Sequence, residues 1–398
     1  MSTERLEPSF ASGMTEERIM IQEMARNFTQ NEVRPLADQL DPEKGDIPQS
    51  LIERMGELGF FGILIPEHLG GMGLGSYEYC LVTEELAKGW MSVSSLPARG
   101  NAFYKTIGGT PGDRESKIAK MAQGQYLGAA AFSEPNTGSD LSGVACRARR
   151  DGSDWVITGN KYWCTFADGA DFIRVLCRID NGSGTNAGTI SINVEKPRGQ
   201  LPEGVTGSPI PKIGYYGWKT WELYFDNVRV KADEDNDTDG RGYQSVAQAL
   251  ELARAQTAAR SIGLAQAALD HAVAYAQERV QFGEPISNFQ AIRFKIAKMA
   301  AQIEASRQLL YHTCEDIDAG RPVKVKTSMV KYLASEMSEE VTSEAMQILG
   351  GSSYTTLHPV ERFWRDARLT KIFEGTSEIQ LRIISDAMLG KPVGKEKG

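Results

Sequence analysis

The sequence predicts an α+β protein of three consecutive segments: helical over 1–124, β over 125–237 and helical again over 238–398. Apolar residues recur every three or four positions at both ends of the chain, and every second position between them. Alanine and methionine, strong helix formers, are abundant in the last segment.

In the first segment, Thr15 to Val33 sets Ile19, Ile21, Met24, Ala25 and Phe28 at helical spacing, and Leu51–Leu58 and Tyr77–Leu86 repeat the pattern. The run HLGGMGLG, His68 to Gly75, interrupts them. Its glycines, Gly71, Gly73 and Gly75, lack the preceding strand and βαβ unit of a dinucleotide loop, so a structural turn is expected. The middle segment carries WVITG, KYWC, FIRVLCRI, TISINVE and WELYFDNVRV, rich in β-branched and aromatic residues. Asp151-Gly152-Ser153-Asp154 and Asn181-Gly182-Ser183-Gly184 read as turns between strands. In the last segment helices are expected over 243–279, 289–318 and 325–349, the first two parted by Phe282-Gly283-Glu284-Pro285.

Composition narrows the function. Hydrophobic residues at 41% and charged residues at 24% describe a globular chain rather than a disordered one. No run of 18 apolar residues exists, so no membrane span is expected, and the N-terminus lacks a signal core. The five cysteines are scattered and odd in number, which points to reduced thiols and a cytoplasmic location. Four separated histidines argue against a metal centre. A net charge of −8 disfavours nucleic acid, so an anionic ligand would need a local basic pocket.

Four stretches hold residues capable of chemistry. FSEPNTGSD, Phe132 to Asp140, reads alone as a turn leaving a strand. KYWCTFADGA places Trp163 and Thr165 at a strand end, where a lone tryptophan is more often core. Arg279, in ERVQFG, either satisfies last-turn carbonyls or clamps a pyrophosphate. In VERFWRDARLTKIFEGTSEIQ, Ser377 with Gln380 fits a capping box, so a helix should begin near Thr376. Glu374 and Gly375 then face its positive end, and alone Glu374 reads as a helix-dipole partner.

The order and spacing of these stretches resemble the acyl-CoA dehydrogenase family over nearly the whole chain. FSEPNTGSD and the block QILGGSSY…HPVERFWRDARLTKIFEGTSEIQ are the specific parts. The resemblance implies an N-terminal helical domain, a middle β-barrel and a C-terminal four-helix bundle, assembled as a homotetramer. It also implies FAD between the barrel and the bundle, an acyl-CoA substrate, and an electron-transfer flavoprotein as acceptor. Phe132 and Ser133 are then expected at the flavin edge, Trp163 beside its ring and Thr165 at its N5. Arg279, Gln281, Phe282 and Gln290 match a segment that reaches the FAD of a neighbouring subunit. Gln347 to Gly351 match the stretch over the pyrophosphate. Thr376 and Glu378 match the adenosine lining, with Glu378 departing from the amide of some members. Ser139 matches a contact with the CoA arm, and Arg254 an arginine supporting the catalytic glutamate.

The resemblance also implies that Glu374 is the base that removes the α-proton, and that its backbone N–H helps to bind the thioester oxygen beside Gly375. Some members carry the base just before the arginine matching Arg254. That position is Ala253 here, and Glu251, two residues back, points elsewhere on the helix. An acyl-CoA oxidase of the same fold uses the same residues, and a short- or branched-chain acyl-CoA is the alternative substrate. By the same resemblance Arg99, in SSLPARGN, is expected at the closed end of the acyl pocket. There it would bind a second carboxylate, of benzylsuccinyl-CoA or glutaryl-CoA type, or else pair with a carboxylate of the protein or face water.

Overall fold

A computed structural model of the chain describes residues 13–182, 188–232 and 242–392. Residues 1–12, Ser183-Gly184 of the second expected turn, and the expected boundary at 237/238 lie outside them. The fold is the expected α+β one, with a helical N-terminal part, a curled sheet and a helical C-terminal part. The chain forms two compact units. One contains residues up to Glu43, Gly75–Ser95 and Glu251 onward; the other contains Lys44–Leu74 and Leu96–Leu250.

In the first unit, helix α1 (Glu16–Phe28) opens on Thr15, whose side chain accepts from the Arg18 N–H. It buries Ile21, Ala25 and Phe28, while Ile19 is exposed. Helix α2 (Ser76–Ala87) is buried along its whole length. Its first N–H groups, on Ser76 and Tyr77, donate to the Asp318 carboxylate at 2.7 and 3.2 Å, which satisfies the helix's positive end. Its acidic residues are paired rather than exposed. Glu84 accepts from Arg307 Nε at 2.9 Å and from the Tyr311 hydroxyl at 2.7 Å, and Glu85 meets Gln22, Arg26 and Lys88. Four longer helices and one short one follow: α3 (Gly242–Glu278), α4 (Gln290–Asp318), α5 (Lys324–Leu349), α6 (Val360–Thr370) and α7 (Ser377–Leu389). The first nine residues of α3 belong to the second unit. Gly263 must lack a side chain, since a Cβ there would meet the Glu84 carbonyl at 2.3 Å.

The second unit is built on seven strands: β1 (Gly128–Ala131), β2 (Arg147–Asp151), β3 (Asp154–Thr165), β4 (Phe172–Asp180), β5 (Thr189–Glu195), β6 (Val205–Pro209) and β7 (Thr220–Lys231). β1 and β2 pair in parallel with successive halves of β4, β5 lines the other edge of β4, and β2, β3, β7 and β6 continue antiparallel. The expected WVITG and KYWC are one strand, β3, joined to β2 by Gly152-Ser153 with Gly152 at φ 63°. Phe172 of β4 packs with Phe103, Ile107, Ile118 and Met121, so the helix Pro111–Ala122 covers this part of the sheet. Gly71 is a close-packing glycine, as the absence of a βαβ unit implied: a Cβ would lie 2.1 Å from the Ile65 carbonyl.

Candidate active site

The sequence-predicted residues fall into a set in each unit. In the first unit, the loop between α6 and α7 carries Glu374 at φ 56° and Gly375 at φ 92°. Two consecutive left-handed residues turn the backbone sharply, a conformation that a glutamate adopts at a cost of roughly 1–2 kcal/mol. At Gly375 a side chain is strained by the left-handed backbone, and a Cβ would also meet Gln380 Nε2 at 2.6 Å. The Gly375 carbonyl accepts from Lys331 Nζ at 2.7 Å and from Gln380 Nε2 at 2.9 Å, and these two bonds fix the turn. The cap of α7 is Thr376, whose hydroxyl accepts from the Ile379 N–H at 3.3 Å. The expected Ser377–Gln380 box does not form, Thr376 alone caps the helix, and both side chains do other work: Ser377 Oγ donates to Glu336 at 2.7 Å.

Arg260 of α3 faces the same loop. Its Nη2 lies 3.6 Å from Glu374 Oε1, and its guanidinium stands 4.7 Å above the Phe373 ring. Arg254, buried six residues earlier on the helix, adds its charge to the same cluster. Lys331 is fully buried on α5, and burial pushes its ammonium down to about 8 against the opposing pull of Glu374 and Glu336. Sequence reasoning missed Arg260 and Lys331. Their only signal was a cation interrupting an apolar run, in Ala258-Ala259-Arg260 and Met329-Val330-Lys331.

The other expected cofactor positions of this unit are exposed. Val280–Gln281 and Glu284–Pro285 form a small hairpin after Arg279, with Phe282 at its tip, at φ 53° and 96% exposed. The Phe282 ring meets that of Phe289, next to Gln290 at the start of α4. Gln347 lies in the last turn of α5, followed by Gly350 and Gly351, where a Cβ would meet nothing within 4 Å. Glu378 is exposed in the first turn of α7, its carboxyl held below the usual range by its own backbone N–H and by Thr376.

In the second unit, Phe132, Ser133, Trp163 and Thr165 come together at one end of the sheet. The Tyr162 N–H donates to the Ser133 carbonyl at 2.8 Å, which ties the segment after β1 to β3. A bulge between Lys161 and Cys164 puts one extra residue in β3 opposite β7. It turns Trp163 to φ 63° and leaves its side chain 55% exposed, not in the core. Thr165 Oγ1 lies 3.0 Å from Thr220 Oγ1. Beneath them is an ion pair that sequence reasoning missed. Fully buried Lys161 donates to Glu134 at 2.8 Å and to the Phe132 carbonyl at 3.1 Å, while Glu134 accepts from the Ala145 and Cys146 N–H groups. Ser139 is exposed in the following loop. Arg99 lies on the short helix Ala98–Asn101 with its guanidinium over the Phe166 and Trp218 rings, at 5.5 and 5.1 Å.

Residues 15–125, 129–228 and 240–389 match, in turn, the N-terminal, middle and C-terminal domains of acyl-CoA dehydrogenases. The chain is 38% identical to the (2S)-methylsuccinyl-CoA dehydrogenase of Cereibacter sphaeroides, over 95% of this chain and 71% of that protein. It is similar to the glutaryl-coenzyme A dehydrogenase solved with glutaryl-CoA, at 34% identity and TM-score 0.88, covering 95% and 96% of the two chains. A chain in a structure of the electron transferring flavoprotein of Acidaminococcus fermentans is 33% identical with TM-score 0.88, covering 96% and 100%. All three domains are present in the family's order, and the chain belongs to the acyl-CoA dehydrogenase family.

Proposed function

We propose that the chain desaturates an acyl-CoA thioester between its α- and β-carbons, with Glu374 as the base. The observation that carries this reading is the position of the Glu374 carboxylate: at the head of α7, on a turn locked by Lys331 and Gln380, with Arg260 at 3.6 Å. A carboxylate so held can take a proton from a carbon presented to it without first reorganising its loop.

The family uses FAD. Two features of this chain fit that group: the exposed face of Trp163 beside the Thr165 hydroxyl, and the open backbone at Gly350-Gly351. Bound FAD supplies the acceptor for the β-hydrogen and its two electrons. Phe132, Ser133, Trp163 and Thr165 would hold the flavin. Arg279, Gln281, Phe282, Gln290, Gln347, Gly351, Thr376 and Glu378 would hold the rest of the cofactor. Ser139, Arg254 and Gly375 would orient the thioester and its CoA arm. We further propose three domains meeting at 124/125 and 237/238, a cytoplasmic location, which the buried free thiols favour, and an electron-transfer flavoprotein as acceptor.

For the acyl group we propose a second carboxylate, on the strength of the methylsuccinyl- and glutaryl-CoA relatives. Arg99 is one candidate to meet it. A plain short-chain substrate is the second reading, favoured by the engagement of Arg99 with two aromatic faces. The test is Glu374→Gln protein loaded with FAD. It should keep the cofactor and lose flavin reduction by about 10² to 10⁴-fold, the usual worth of a general base. Near-normal reduction would remove Glu374 from the mechanism.

A further inference from the structure

Arg260 is the least expected member of the Glu374 cluster. It interrupts an alanine-rich stretch of α3 and is 2% exposed. Nη1 donates to Ser95 Oγ and Nη2 to Thr257 Oγ1, both at 2.9 Å, and its buried Nε has no acceptor among the described residues. Within 4 Å the only carboxylate it meets, among the described residues, is Glu374. A buried guanidinium needs a counter-charge. A base that accepts the α-proton becomes neutral, so Arg260 would lose its partner just as the reaction proceeds. With a plain acyl chain, that loss opposes proton transfer. A substrate that brings its own carboxylate to Arg260 removes the opposition, because one anion remains after the proton has moved.

Bond geometry limits where that carboxylate can sit. The base must come within about 3 Å of the proton it removes. A carboxylate on the β-carbon begins only two carbon–carbon bonds, of about 1.5 Å each, from the reacting α-carbon. Such a group stays within about 6 Å of the Glu374 carboxylate, from which Nη2 stands 3.6 Å away, so it can turn toward Arg260. Each further methylene lets it move away, toward the far end of an acyl pocket.

We infer that Arg260 is a specificity-determining residue that receives a carboxylate on the substrate's β-carbon, so the substrate is a succinyl-type rather than a glutaryl-type thioester. The inference rests on Glu374 being the base. In the reaction, the α-proton passes to Glu374, the β-hydrogen leaves with its electron pair to FAD, and a fumaryl-type thioester remains. Throughout, Arg260 exchanges one carboxylate partner for another.

The experiment compares FAD-loaded wild type, Arg260→Gln and Arg260→Lys. Anaerobic flavin reduction is measured with succinyl-, glutaryl- and butyryl-CoA, and binding of fumaryl- and crotonyl-CoA by calorimetry. The glutamine variant should lower the succinyl-to-butyryl ratio of kcat/KM by about 30-fold or more, as loss of a buried charge partner does. Fumaryl-CoA binding should weaken relative to crotonyl-CoA by a similar factor, and lysine should restore part of both. If the glutamine protein does not retain FAD, the lysine variant carries the comparison, with a smaller drop in the same ratio. Unchanged ratios in both measurements overturn the inference, as does wild type preferring glutaryl-CoA. Failure of every thioester to reduce wild-type flavin would overturn the dehydrogenase reading as well, which distinguishes the two failures.

Discussion

Gly375 and Lys331 show how much a single residue contributes to the candidate site. With φ at 92° and Gln380 Nε2 where a Cβ would stand, Gly375→Ala should destabilise the protein by roughly 1–2 kcal/mol, the usual cost of a left-handed side chain. It should also depress flavin reduction, because Glu374 is the adjoining residue; thermal melts and stopped-flow reduction check both. Lys331 has a folded value of about 8 against an ordinary 10.5, so between those limits the unfolded chain binds more protons. Stability should therefore rise with pH across that window, and Lys331→Met should remove this part of the rise. Equal pH slopes for wild type and variant, in denaturant titrations from pH 8 to 10.5, would sink the assignment. Glu374 was legible because the stretch around it resembles a family signature. Arg260 was not, since an arginine in an alanine run looks like any other until the fold brings Glu374 to it.

At the scale of elements, the long C-terminal helices were read to within a residue or two, because their period extends over 26 residues or more. β2 and β6 were not found, and β1 was implied only as the strand that FSEPNTGSD leaves. Gly128–Ala131 is only small residues, and Arg147–Asp151 shows too little apolar alternation, being mostly exposed. Helix α2 was found, but its burial on every side was not, because nothing local in the sequence marks Glu84 and Glu85 as buried. Their partners lie far away in sequence, Arg307 of Glu84 being 223 residues distant. Burial alone would raise the Glu84 value, but Arg307 and Lys88 override it and the carboxyl stays below its ordinary range. That stability is present above the ordinary carboxylate value and lost as pH falls through the lowered one. Glu84→Ala leaves Arg307 buried without this partner and should lower stability by about 3–5 kcal/mol, read by chemical denaturation at neutral pH. A loss within experimental error would mean that Arg307 finds another anion.

For the whole molecule, we expect a homotetramer. Phe282, Tyr354 and Leu357 expose large apolar side chains on the first unit, in or near segments expected to reach a neighbour's cofactor. Phe282→Asp should then lower the mass seen by light scattering and reduce retained FAD together. A monomeric wild type with full FAD would contradict the expectation. The helical–β–helical order was legible because it is a matter of period. The grouping into two units was not: Gly75–Ser95 folds with the C-terminal helices, and no local pattern announces an alliance between segments so far apart.

That interleaving has a consequence for synthesis. The second unit is complete once Leu250 has been made, whereas the first begins with α1 and is finished only by residues after Glu251. At about 5–20 residues per second, the ribosome needs roughly seven to thirty seconds to make residues 251–398. During that interval α2, buried on all sides in the finished protein, has not yet met Arg307 and Tyr311, and its apolar surface is open to chaperones. A nascent chain stalled shortly after Leu250 has emerged should resist protease across the sheet and be cut within α2. Protection of α2 at that length would show that the first half of its unit folds without the second.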